Sequence, residues 1–219
     1  MPEKSIFPDP EKYAVDGVVA VSRDLNCQML CDAYANGIFP WPYEEESVLW
    51  CSPEKRGILM LDKFHIPKSF QREMRKCDFA LQINHDFDSV IRHCAAVPRK
   101  GQDGTWITSK IIRTYSEFHR QKKVHSFEVY DSRQNLVGGL YGVVCNRIFC
   151  GESMFFLRSG ASKYALVKLV EILKKHDFLL IDTQMVTPMT SQFGAKEIPR
   201  KEYLSLLKKS GSPPLAYEW

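Results

Sequence analysis

Two stretches leave this chain few ways to fold: Val137 to Phe155, VGGLYGVVCNRIFCGESMF, and Phe178 to Gln184, FLLIDTQ. Leu136 to Val144 is apolar, β-branched and aromatic, Cys145-Asn146-Arg147 can turn, and Ile148 to Phe155 runs back. That pattern predicts a β-hairpin. Between it and FLLIDTQ, Ala165, Leu166, Leu169, Val170 and Leu173 recur at helical spacing within Ala161 to His176. A strand, a crossover helix and a second strand favour parallel pairing, which places Glu152 and Asp182 near each other. Gly138, Gly139 and Gly142 weaken a strand, and glycine there often marks the close approach of a backbone or a ligand. A carboxylate at the end of a buried strand has to be hydrogen-bonded, or its pKa rises until it is neutral. One such residue is commonly structural. Two of them with an amide, on neighbouring strands, point to a site.

Upstream, Leu25 to Ala35 reads as a helix ended by Gly37, and Gly37 to Tyr43, GIFPWPY, as an aromatic loop that its prolines keep from being helical. An apolar strand, Gly57 to Leu61, follows, and a domain boundary is expected near Asp62-Lys63. The chain is thus divided into a small N-terminal domain, residues 1–62, and a larger one, residues 63–219. Phe64 to Lys76 looks helical, and Lys68, Arg72 and Arg75 fall on one face of it. Such a stripe is either a solvated face or a phosphate track. A short strand, Ala80 to Ile83, a helix to about Ala96, a loop PRKGQD over 98–103, a helix from Ser109 to about Gln121 and a strand Val124 to Tyr130 lead to the hairpin. A last helix, Lys201 to Lys209, precedes a Pro-rich tail.

The exclusions are simple. The longest apolar runs fall short of the ~18–20 residues of a membrane span. The first residues, MPEKSIFPDPEKY, lack the apolar core of a signal peptide, so export is not expected. Seven scattered cysteines without a Cys-x-x-Cys pair suit a reducing compartment and no structural zinc. A net charge of +4 permits an anionic partner without demanding one.

Eight motifs occur in order: GIFPW (37–41), WCSP (50–53), GTWIT (104–108), HSFEV (125–129), VGGLYG (137–142), FCGESMF (149–155), LIDTQ (180–184) and FGAKEIPR (193–200). As an ordered set spanning about residues 17–207, they resemble the leucyl/phenylalanyl-tRNA–protein transferase family. The resemblance implies an α+β fold, with a small N-terminal α/β domain followed by a larger GNAT-like acyltransferase domain. It implies a cytoplasmic, monomeric bacterial enzyme that moves leucine or phenylalanine (with methionine a further candidate) from charged tRNA to proteins with N-terminal Arg or Lys. The modification marks them for degradation. The ester is already activated, so no cofactor, metal or covalent enzyme intermediate is expected.

By the same resemblance, Asp182 and Gln184 match the catalytic pair. Gln184 is expected to hydrogen-bond the incoming amine, with Asp182 orienting Gln184 and attracting the proton. Glu152 matches an active-site carboxylate that orients the amine or the acceptor's basic side chain. Leu140, Phe149, Met154, Leu166, Leu169 and Ile181 match or neighbour the aminoacyl pocket, and Trp41, Trp106, Tyr34 and Tyr115 the seat of the terminal adenosine. Lys68, Arg72 and Arg75 fall where the family carries a basic tRNA-binding patch. Cys51 departs from the tryptophan common at its position. The competing classes are an acyl-CoA N-acetyltransferase, whose pyrophosphate-loop pattern FLRSGAS (156–162) does not fit, a peptidoglycan-building aminoacyl-tRNA transferase, which is larger and carries a duplicated domain, and a non-enzymatic tRNA-binding module, which leaves Asp182 and Gln184 without a purpose.

Overall fold

The computed structural model of the protein describes residues 5–43, 47–97 and 105–211. The loop expected over 98–103, Gly104 of the third motif, and the tail from 212 lie outside the described residues. The fold is α+β, with a small N-terminal sheet ahead of a larger one. After a helical turn, α1 (Pro10–Tyr13), strand β1 (Val18–Ser22), helix α2 (Cys27–Ala35) and strands β2 (Phe39–Tyr43) and β3 (Ser47–Cys51) form the small unit. Its antiparallel sheet has the order β1-β3-β2. The segment read as an aromatic loop is therefore largely strand. Pro40 and Pro42 are tolerated because β2 is an edge, with one side that needs no hydrogen-bond donor.

The larger sheet contains β4 (Lys55–Met60), β5 (Ala80–Ile83), β6 (Val124–Tyr130), β7 (Leu136–Cys145), β8 (Ile148–Phe156), β9 (Leu180–Gln184) and β10 (Lys196–Pro199). Its order is β10-β4-β9-β8-β7-β6-β5, and β4, which precedes the boundary expected near residue 62, is hydrogen-bonded inside it. The predicted hairpin is β7–β8, turning at Asn146-Arg147 with Asn146 at φ 53°. The predicted crossover is helix Ala161–Lys175, and β8 and β9 do pair in parallel, with Cys150 beside Asp182. Every other pairing in the sheet is antiparallel.

Helices α3 (Lys68–Met74), α4 (Phe87–Ala96), α5 (Ser109–Arg120), α6 (Ala161–Lys175), α7 (Pro188–Ser191) and α8 (Arg200–Lys209) complete the order. Helix α3 starts later than expected, because Pro67 in extended geometry stands at its N-terminus. Strand side chains alternate between faces, and two cores follow from that. Tyr141, Val143, Ile148, Cys150 and Leu180 pack with α2, α4 and α5 on one face. Leu140, Phe149 and Ile181 pack under α6 on the other. The hairpin carries one irregularity that matters for the site. Tyr141 pairs with Ser153 and Gly142 with Gly151, so Glu152 is an extra residue without a partner across β7. Such a bulge re-aims a side chain. At Gly142 a Cβ would lie 2.4 Å from both the Cys150 carbonyl oxygen and the Phe149 ring. The close approach inferred from the glycines is here the protein's own packing.

Candidate active site

Asp182 sits in the middle of β9 and is fully buried, at 0% exposure. Its Oδ1 accepts from Arg56 Nε at 2.8 Å and from the Gln184 backbone N–H at 2.9 Å. Its Oδ2 accepts from Arg56 Nη2 at 2.6 Å and from the Tyr203 hydroxyl at 2.8 Å. Four donors thus converge on the two oxygens of this side chain. Arg56, 1% exposed, gives its Nη1 to the Gly37 carbonyl at 3.1 Å. Its guanidinium lies 4.6 Å from the Phe39 ring and 4.5 Å from the Tyr203 ring. Burial alone would lower the guanidinium pKa, but the charges of Asp182 and Tyr203 and the hydrogen bonds to Asp182 outweigh it, so Arg56 stays charged.

The β8–β9 ladder ends at the Cys150–Asp182 pair. Beyond it, Glu152 on its bulge and Gln184 at the end of β9 face each other, with Gln184 Nε2 3.4 Å from Glu152 Oε1. Glu152 Oε2 accepts from the Tyr115 hydroxyl at 3.3 Å, and the Tyr115 and Tyr34 hydroxyls lie 2.5 Å apart. Burial pushes the Glu152 carboxyl up to about 8, the Asp182 charge adds to the rise, and hydrogen bonds from Tyr34 and Tyr115 oppose it. Burial and the Glu152 charge likewise raise both tyrosine hydroxyls. Turned over, the Gln184 amide nitrogen donates to the carbonyls of Thr183 at 3.1 Å and Gly151 at 3.0 Å. The amide oxygen then faces Glu152, which can donate to it only when protonated. The raised pKa and the better-satisfied amide orientation therefore agree. Gln184 is itself left-handed, at φ 53°, a strained conformation for a residue with a Cβ.

The other expected residues fall into three places. Leu140, Phe149, Leu166, Leu169 and Ile181 are buried in the core under α6, and Met154 packs against them half-buried. They lie on the sheet face opposite the Asp182 network. Trp41 and Trp106 are half-buried and stacked, with ring centroids 5.8 Å apart and planes 13° off parallel. Tyr34 and Tyr115 are placed otherwise than expected. At 2% and 0% exposure, their rings offer no face to a base, and their hydroxyls serve Glu152 instead. Lys68 and Arg72 on α3 and Arg75 at its C-cap are all exposed.

Arg56 and Tyr203 escaped the sequence reading. An arginine ahead of an apolar strand looks like a surface charge. The alternation Arg56-x-Ile58-x-Met60 is the one signal that sets it on a buried face. Tyr203 shares a helical stripe with Leu207, which reads as plain packing.

The family described as leucyl/phenylalanyl-tRNA protein transferase matches residues 58–208, and its N-terminal domain matches residues 23–54. The chain is 41% identical over 209 residues to a leucyl/phenylalanyl-tRNA–protein transferase of Shewanella loihica, covering 94% of this chain and 88% of that one. It is 42% identical over 220 residues to the protein of the same name from Anaeromyxobacter sp. (strain Fw109-5), covering 100% and 93%. Among solved structures, it is similar to L-PGS from Bacillus licheniformis at 11% identity and a TM-score of 0.40, over 75% of this chain and 52% of that one.

Proposed function

The chain belongs to the leucyl/phenylalanyl-tRNA protein transferase family, and from that premise we propose that it transfers leucine or phenylalanine from charged tRNA to the α-amino group of proteins that begin with Arg or Lys. The enzyme acts in the cytoplasm as a monomer and marks its products for degradation. Among the described residues, no helix is long and apolar enough to cross a membrane.

In the reaction, the acceptor nitrogen attacks the ester carbonyl, the bond to the ribose oxygen breaks, and the surplus proton on nitrogen ends on that oxygen. One observation carries this reading. Glu152 stands on a bulge opposite Gln184, with its carboxyl pushed up to about 8. A peptide α-amino group titrates at ~7.7–8.0, so proton exchange between the two is close to balanced near neutral pH. Gln184 receives the amine, and Glu152 shares its proton. Asp182 acts by holding the Gln184 backbone, through its N–H. Leu140, Phe149, Leu166, Leu169 and Ile181 are packed core, so Met154, half-buried at its margin, is the residue of this group that meets the leucine or phenylalanine side chain. Trp41 and Trp106 supply an indole face for the terminal adenine, worth ~1–3 kcal/mol per stacked base.

The test is direct. Incubated with leucyl-tRNA and a peptide beginning with Arg, the protein should form the leucyl-peptide amide. Retention of the tRNA without transfer would reduce it to a binding module, and turnover of acetyl-CoA would move it to another class.

Two further outcomes follow from the same geometry. The α3 cations should track phosphates, so replacing Lys68, Arg72 and Arg75 together by Ala should weaken tRNA binding. The slope of log K against log salt should become shallower by about 2 to 3. Titrations at several salt concentrations check this, and an unchanged slope would remove the patch from the interface. Glu152 sets a pH dependence. Its folded pKa lies above the value of 4.5 usual for the free group, so its contribution to stability is complete at low pH and is lost as pH rises towards about 8. Melting temperatures of wild type and Glu152→Gln should therefore diverge in favour of the variant between about pH 4.5 and 8. Parallel curves would mean that the carboxyl titrates normally.

A further inference from the structure

Arg56 joins three segments that are remote in sequence. Its Nε and Nη2 take both oxygens of Asp182 on β9, its Nη1 takes the Gly37 carbonyl just before β2, and Tyr203 of α8 covers one of its faces while Phe39 of β2 lies against it too. Each of the three ends bears on the site. The Asp182 oxygen that accepts from Arg56 Nε also accepts the backbone N–H of Gln184, which is held left-handed at φ 53°. The strand behind Gly37 carries Trp41, stacked on Trp106. Tyr203 donates to the other Asp182 oxygen.

We propose that Arg56 is the positioning residue of the transfer site. Its planar fork fixes the Gln184 backbone through Asp182, and keeps the strand bearing Trp41 in register with it, so the seat of the adenosine and the receiver of the amine move as one body. A guanidinium presents its donors in fixed directions, whereas an ammonium is a point charge. Lysine at this position keeps the charge and loses the geometry. The link to adenosine and amine rests on the function proposed above; the control of the Gln184 backbone does not.

The experiment is Arg56→Lys, with Tyr203→Phe as the milder partner. In single-turnover transfer from leucyl-tRNA to an Arg peptide, Arg56→Lys should lower the rate by about 100-fold, the scale of an ångström-level misplacement. Its Kd for the tRNA, dominated by phosphates, should change by less than about threefold. Hydrogen exchange at the Gln184 amide, followed without any substrate, should quicken by about tenfold or more while Tyr141 in the sheet core is unaffected. Tyr203→Phe removes one hydrogen bond and should slow transfer by about tenfold, again with faster exchange at Gln184. A folded Arg56→Lys protein with transfer within threefold of wild type, or with unchanged Gln184 exchange, would overturn the proposal. Should that variant fail to fold, unchanged transfer and exchange in Tyr203→Phe would do the same. A wild-type protein inactive on leucyl-tRNA would defeat the functional reading alone, because the exchange measurement still decides the Arg56 claim.

Discussion

Asp182→Asn is expected to cost about 3–5 kcal/mol of stability and to abolish transfer. The amide keeps the shape of the carboxylate but not its charge, so Arg56 becomes an uncompensated cation at 1% exposure. One amide nitrogen must also face a donor, since Arg56, Tyr203 and the Gln184 N–H all point at this side chain. A domain stable by ~5–15 kcal/mol loses a large share of that margin. The decisive companion is the double variant Arg56→Met with Asp182→Leu. Replacing a buried ion pair by apolar side chains of similar size is often neutral or stabilising. Urea denaturation should therefore show most of the lost stability restored in the double variant, while transfer stays absent because nothing holds the Gln184 backbone. Activity returning with stability would make the pair structural only.

The second large effect is expected at Gly57. A Cβ there would lie 2.4 Å from the carbonyl carbon of Met185, 2.7 Å from Val186 N and 2.8 Å from Met185 Cα. All three are backbone atoms, so no side chain can swing aside. Gly57 pairs with Gln184 across the β4–β9 ladder, next to an irregularity in its register. Gly57→Ala must push away the segment that leaves Gln184. Overpacking of this kind costs ~1–3 kcal/mol, which the fold should survive. Transfer should fall by about 100-fold, since the displacement occurs at Gln184, the proposed receiver of the amine. Gly151→Ala is the control for packing. Its Cβ would meet only Ile181 Cγ2 at 3.6 Å and the Asp182 carbonyl at 3.7 Å, which are ordinary contacts. Its melting temperature should stay near that of wild type, and a drop equal to that of Gly57→Ala would count against the steric argument.

The parts of the fold legible in the sequence are those governed by local pattern. The β7–β8 hairpin, the α6 crossover and the parallel β8–β9 pair follow from alternation, helical spacing and chain order; the expected neighbour of Glu152 is Asp182, whereas Cys150 pairs with Asp182 and Glu152 faces Gln184. Tertiary partners were not legible. Arg56 meets Asp182 across 126 residues, and no local pattern links the two. The burial of Tyr34 and Tyr115 depends on how α2 and α5 pack together, which sequence spacing within either helix does not report. The bulge at Glu152 is a matter of one residue in register, with Gly142 as its only trace in the sequence. Prolines in GIFPWPY argue correctly against a helix. They do not forbid a strand at the margin of a sheet.

That marginal strand limits how another polypeptide can pair with the small sheet. An extended polypeptide commonly docks by lengthening an exposed sheet, exchanging main-chain hydrogen bonds along the border. Two of the five residues of β2 have no amide hydrogen to offer, so a visiting N-terminus finds no continuous ladder there. Unfolded or nascent chains gain no foothold beside Trp41 through their backbones alone. Contact along this border has therefore to run through side chains, the indole of Trp41 among them, rather than through main-chain pairing.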